Sequence, residues 1–187
     1  MDRDSAVELV RKYVHTSVTF RHLVSVEGVM RALARHFGED AHRWGLAGLF
    51  HDLDMDETHG DEERHTQLTI EWLRAEGFDD EQILNAIMGH KYESHQTDTM
   101  SKAIVHADGV AGLLVACALV RPEKAQGMKV SSVKKKLKEK SFAPGVERDK
   151  IWGVEEKIGI PMDEFIQISI GGLQEVAPEI DLAPEGA

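Results

Sequence analysis

The chain is short of the residues that staple a fold from outside. One cysteine, Cys117, among 187 residues excludes an internal disulfide. It sits in Leu113-Leu-Val-Ala-Cys-Ala-Leu-Val120, where a small buried core residue is the expected role. A nucleophile there would need a neighbouring base and partial exposure. No segment shows sustained period-two alternation, and there is no internal repeat or low-complexity tract. A β-sheet protein and a solenoid are therefore not expected. The longest apolar run, Gly109 to Val120, is too short for a membrane span. Met1-Asp-Arg-Asp-Ser-Ala6 opens with charge and lacks the apolar stretch of a secretory signal, so a cytoplasmic protein with no membrane partner is expected. Positive charge is also scarce. Lys and Arg number 22 against 33 Asp and Glu, a net charge of -11, which argues against a coat of nucleic acid. A small phosphoester can still bind such a chain where a site holds a cation.

What is present is helical patterning. Hydrophobic residues make up 42% of the chain, ample for one core at this length. Ser5-Ala-Val-Glu8 has the form of a capping box opening a first helix. A second is expected over Phe20 to His36, with His22 in its first turn and Gly38 as its stop, and a third over Asp40 to Leu53. A fourth spans Asp61 to Glu76 with His65 on its first turns, and a fifth spans Asp80 to Lys91 and ends in Gly89-His90-Lys91. A sixth covers Met100 to Val120. Further helices follow over Glu147 to Ile158 and from Asp163 to Val176, with Gly171-Gly172 as a kink point. The expected architecture is an all-α, single-domain helical bundle of roughly seven to nine helices. Within it lie a core at about 20–120, a helical extension at about 121–177 and a frayed tail at 178–187. The basic segment 129–140 reads as a solvated helix face, with a phosphate-facing patch as the other reading. His15 has no evident partner, and His59 and His95 are expected at the surface. Asp54 to Glu63 reads as an acidic, solvated connection.

The chemistry gathers around Trp44-Gly-Leu-Ala-Gly-Leu-Phe-His-Asp-Leu-Asp54. An apolar helix there ends in an imidazole beside a carboxylate, and buried polar groups require partners. A metal would serve both; a mutual hydrogen bond with helix capping is the structural alternative. Asp108, mid-helix among apolar residues, is costly unless paired or metal-bound. With His22, these residues offer two imidazoles and two carboxylates and no thiolate. That set suits Mn, Fe, Co, Ni or Mg as a divalent metal ion. His65 and His90 could hold a second ion, with Asp52 bridging, giving one or two ions per chain.

The order His22, His51-Asp52, Asp108 resembles the HD superfamily of metal-dependent phosphohydrolases over about residues 20 to 120. More narrowly, the chain is similar to a bacterial and archaeal group of HDIG-related proteins. Beyond the stretch around His51-Asp52, His106-Ala-Asp-Gly-Val-Ala-Gly112, Leu119-Val-Arg-Pro122 and Lys140-Ser-Phe-Ala143 carry that likeness. The resemblance implies that His22, His51, Asp52 and Asp108 hold one metal. It implies that His65 and His90 hold a second in binuclear members. One departure stands out. Many members continue His-Asp-Ile-Gly-Lys, whereas Asp54 and Met55 stand here in place of the Gly and Lys. Phosphate would then fall to Arg21, Arg64, Lys91 or Lys102.

The expected activity is hydrolysis of a nucleotide or other small phosphoester by a metal-activated water. Asp52, His90 and Lys91 are the expected catalytic residues. Two alternatives are a di-iron oxygenase of the same fold and a ligand-binding or sensor module without chemistry.

Overall fold

Five helix starts in this chain are set by short polar side chains that accept a backbone N–H. In the computed structural model, which describes residues 1–59 and 61–184, eleven α-helices and two 3-10 helices supply all the regular structure of those residues. The fold is all-α, with no strand among the described residues. The α-helix number exceeds the expected seven to nine because the acidic connection holds an extra turn, Met55–Thr58, and the expected 147–158 helix is divided in two.

Helix α1 (Arg3–Tyr13) is capped by Asp2, whose carboxylate accepts the Ser5 N–H at 2.9 Å. The expected Ser5 cap is therefore displaced by three residues. Thr16 caps α2 (Ser17–Phe37) through the Thr19 N–H, so α2 starts earlier than expected and His22 lies in its second turn. Gly38 closes it in the left-handed conformation, as its position after the apolar stripe implies. Asp40 caps α3 (Ala41–Phe50), which is buried from Trp44 to Phe50. His51 follows at its C-terminus.

The acidic connection is not merely solvated. Met55–Thr58 forms a single turn, α4, and Asp56 accepts the N–H groups of His15 and Thr16 at 2.8 Å each. That pins α4 to the start of α2. His15 is exposed, and so is His59, as expected, whereas His95 is half-buried and bonded to Asn85 at 2.8 Å. Helix α5 runs only over Gln67–Ala75. Thr66 takes φ +68 and separates the turns over 61–65 from it, so His65 precedes the helix rather than riding on its first turns.

Asp80 caps α6 (Glu81–Gly89), and an Asp98–Ser101 capping box opens α7 (Thr99–Leu119). At 21 residues with mean hydropathy 1.6, α7 has the length and composition to cross a membrane. Here it is a core helix, buried along much of its length and carrying Asp108. Helix α8 (Val130–Lys138) buries Val133 and Leu137, while Lys134 pairs with Asp163 and Lys136 with Glu139. Two lysines of the basic segment are thus ion-paired on its outer face. Gly153 divides the expected 147–158 helix into α9 (Arg148–Trp152) and α10 (Val154–Ile158).

Helix α11 (Met162–Val176) passes through Gly171-Gly172 without interruption. Gly172 is there for approach, not bending. A Cβ on Gly28 of α2 would fall 2.4 Å from the Gly172 carbonyl oxygen, and a Cβ on Gly172 would fall 2.4 Å from that of Gly28. Helix α2 is consequently central, sandwiched by α3, α7 and α11. The segment expected to fray returns to the core. Ala177–Ile180 forms a 3-10 turn, and Leu182 is fully buried with its carbonyl accepting from Ala125 N–H at 3.0 Å. Residues 185–187 of that expected tail lie outside the described residues.

Cys117 is buried in α7, and burial pushes its thiol up to about 11. At pH 8 about one thiol in a thousand is then ionised. Alkylation of the native protein at pH 8 should be at least tenfold slower than of the urea-unfolded chain, followed by mass spectrometry. Equal rates would contradict the buried-core role.

Candidate metal centre

Two imidazoles are delivered by the same local device. His51 ends α3 and His90 ends α6, each donating Nδ1–H to the carbonyl three residues back: Gly48 at 2.8 Å and Ile87 at 2.7 Å. A carbonyl can only accept, so the tautomer follows and Nε2 faces inward with a lone pair. His65 reaches the same state differently. Its Nδ1 lies 2.8 Å from Asp54 Oδ1, while Asp54 Oδ2 accepts the Thr69 N–H at 3.1 Å. An ionised carboxylate accepts from both, which again leaves Nε2 free.

These rings meet in two groups, each with ligand atoms within 4.8 Å of one another: His22, His51 and Asp108, and then Asp52, His65 and His90. In the first, His22 Nε2 is 3.2 Å from His51 Nε2 and 3.1 Å from Asp108 Oδ1. In the second, His65 Nε2 and His90 Nε2 are 3.1 Å apart, and Asp52 Oδ1 lies 3.4 and 3.1 Å from them. Asp52 also faces the first group. Its Oδ2 is 3.5 Å from His51 Nε2 and 3.7 Å from His22 Nε2. One carboxylate therefore presents one oxygen to each group.

This arrangement fits a cation. Asp52 Oδ1 is buried and accepts no hydrogen bond. The short approaches of His65 Nε2, His90 Nε2 and Asp52 Oδ1 bring lone pairs together, an arrangement that a bound cation would satisfy. Burial opposes ionisation of Asp108, yet the neighbouring imidazoles of His22 and His51 outweigh it and hold the carboxyl well below the usual carboxylate range. Nitrogen and carboxylate donors without thiolate suit Mn, Fe, Co, Ni or Mg.

All six expected ligands, His22, His51, Asp52, Asp108, His65 and His90, are brought together. A cavity of about 380 Å³ is lined by four of them, Asp52, His65, His90 and Asp108, with Lys91 in its wall. The other proposed phosphate cations do not line it. Arg21 turns away to the Ile180 carbonyl, exposed Arg64 pairs with Glu57, and Lys102 sits near the start of α7.

Two residues in the site escaped the sequence reading. Asp54 looked like a departure in an acidic loop, but it is fully buried and orients His65. Its alternation with Asp52 was the available signal. Lys150, on α9, lines the cavity and lies 3.1 Å from Asp108 Oδ2 and 2.8 Å from Glu147. Burial alone would lower its pKa, but the charges of Asp108 and Glu147 outweigh that and push it up to about 12. Nothing in local sequence ties Lys150 to residues 42 positions earlier.

Asp54→Ala should weaken binding at the His65–His90 group by roughly 10- to 100-fold while the His22–His51–Asp108 group keeps its affinity. Metal titration by calorimetry reads this as loss of one of two binding steps. Unchanged affinity in both steps would remove Asp54 from the site.

The HD domain family profile matches residues 19–125, more than half of the chain. Ribonuclease Y 2 of Levilactobacillus brevis is 29% identical over 91 residues, which are 49% of this chain and 17% of that protein. No solved structure matches the chain.

Proposed function

The chain belongs to the HD domain family, and we propose on that premise that it is a metal-dependent phosphohydrolase acting on a nucleotide or other small phosphoester. The observation that carries this reading is the pair of three-ligand groups joined through Asp52 beneath a cavity walled by Lys91 and Lys150.

His22, His51 and Asp108 would hold one ion, His65 and His90 a second, with Asp52 shared between them. Bound divalent metal lowers the pKa of a water for attack on phosphorus and neutralises phosphoryl charge. The chain's own groups prepare the rest. Gly48 and Ile87 carbonyls and the Asp54 carboxylate hold the three rings in the tautomer that leaves Nε2 unprotonated. Lys91, its ammonium 3.4 Å from the His65 carbonyl oxygen, is placed to neutralise negative charge that builds on the phosphoryl group.

Substrate size follows from volume and charge. A cavity of about 380 Å³ suits a small ligand. The net charge of -11 repels a long polyanion outside it. The similarity to a protein named a ribonuclease makes phosphodiesters a necessary part of any assay panel, but the matched stretch is 17% of that protein. RNA is therefore not carried over as the substrate.

A carboxylate shared by two ligand groups also favours di-iron oxygen chemistry, and the two readings separate by experiment. Metal content of protein purified without chelator should be measured alongside turnover of phosphomonoesters, phosphodiesters and nucleotides. Bound divalent metal with turnover of one class is the expected result. Iron at two per chain, oxygen uptake and no phosphate release would replace it with the oxygenase. No metal bound and none taken up on titration would end both readings.

A further inference from the structure

We propose that Lys150, on the C-terminal extension beyond the family-matched residues, contacts the substrate's phosphoryl oxygens at the metal centre. The inference rests on the phosphohydrolase reading and names the cation that the loop after His51-Asp52 lacks. Met55 stands where the resemblance places a lysine, and its uncharged side chain lines the cavity. Lys150 enters the same cavity from the opposite direction in sequence, on α9.

Its placement is built. The ring of His106, on α7, bonds the Lys150 carbonyl oxygen and so ties α9 to the helix that carries Asp108. Gly109 leaves room for this contact, since a Cβ there would sit 3.0 Å from Lys150 Cβ and 3.3 Å from Ile151 Cγ1. Ile151 is fully buried beside it. The approach to α9 is fixed by Arg148, whose guanidinium donates to the carbonyls of Leu137, Glu139, Phe142, Ala143 and Val146. Backbone restraints on both sides of one lysine exceed what a surface ion pair needs.

The geometry also leaves the ammonium a free direction. It has three protons. One faces Asp108 Oδ2 and one faces Glu147, whose side chain is 69% exposed. A pairing with so exposed a carboxylate is weak and exchangeable. Lys150 further lines a second cavity of about 330 Å³, which reaches His22 and Asp108. It thus stands at the seam of the two cavities, over the first ligand group. A phosphate arriving there can replace Glu147 without disturbing Asp108.

The competing role is structural: Lys150 would only balance Asp108. Calorimetric binding of inorganic phosphate to the metal-loaded full-length protein separates the two, with metal content measured on every variant. Lys150→Met should weaken phosphate binding about 10- to 100-fold at unchanged metal content, and Lys150→Arg should recover most of the affinity. Equal phosphate binding by wild type and Lys150→Met would overturn the inference while leaving the hydrolase reading intact. Loss of metal from Lys150→Met, with phosphate binding normal once metal is restored in excess, would assign the structural role instead. A metal-loaded wild type that neither binds phosphate nor hydrolyses any phosphoester would bring down both.

Discussion

Asp52→Asn should abolish turnover, by about 10³-fold or more, and should also lower the stability of the apo-protein at pH values above the ordinary carboxyl pKa. The two effects share one cause. Asp52 is buried and gives one oxygen to each ligand group, so it works against burial and is compensated only by positive charge. In the unmetallated protein that compensation comes from His51 and His90, which outweigh burial and hold the carboxyl below its ordinary range. Asparagine removes the buried charge and offers an N–H to a facing imidazole lone pair. The apo-fold then loses a carboxylate that its imidazole neighbours favour in the charged form, and both metal groups lose their shared ligand. Thermal unfolding with and without metal reads this directly. Wild type should gain stability with added Mn²⁺ as RT ln(1 + [L]/Kd), and Asp52→Asn should gain little at the same concentration. A variant that retained a tenth of the activity, or the full metal-dependent shift, would show that Asp52 does not join the two groups.

Much of this centre could be read in advance because its ligands sit on regular helices or at their ends. An apolar helix ending in His51-Asp52, and a carboxylate at 108 in the middle of an apolar run, are conflicts that local sequence displays openly. His90 repeats the pattern at the end of α6. The residues that were misread act across distance or through irregular backbone. Asp54 and Asp56 belong to an acidic stretch whose composition suggests solvent. One is nevertheless fully buried on His65 and Thr69, and the other holds the backbone of His15 and Thr16 just before α2. Lys150 belongs to a segment with no motif, and only the packing of α9 on α7 brings it to Asp108. The misplaced boundaries have the same cause. Thr66 at φ +68 and Gly153 between two short helices interrupt patterns that look continuous by period alone. The tail seemed too polar to pack, yet Ile180 and Leu182 are enough to anchor it.

Gly172→Val should destabilise the protein by about 3 kcal/mol or more, whereas Gly171→Ala should be neutral or stabilise it by up to ~1 kcal/mol. Both glycines lie in the unbroken helix α11, and both are equally flexible in sequence. Their surroundings differ completely. A Cβ at Gly171 meets nothing within 4 Å, so alanine there only reduces the freedom of the unfolded chain. A Cβ at Gly172 would lie 2.4 Å from the Gly28 carbonyl oxygen and 2.9 Å from Val29 Cα. Those are backbone atoms of the central helix and cannot move aside as a flexible side chain would. Relief requires α11 to separate from α2. Because α2 also carries His22, separation should disturb the first ligand group as well as the core. Urea denaturation with a parallel metal titration tests both consequences. Gly172→Val is expected to lower the midpoint and weaken metal binding together, and Gly171→Ala to leave metal binding unchanged. If the two variants behaved alike, the glycines would be acting through helix flexibility, and the close crossing of α2 and α11 would not be what places His22.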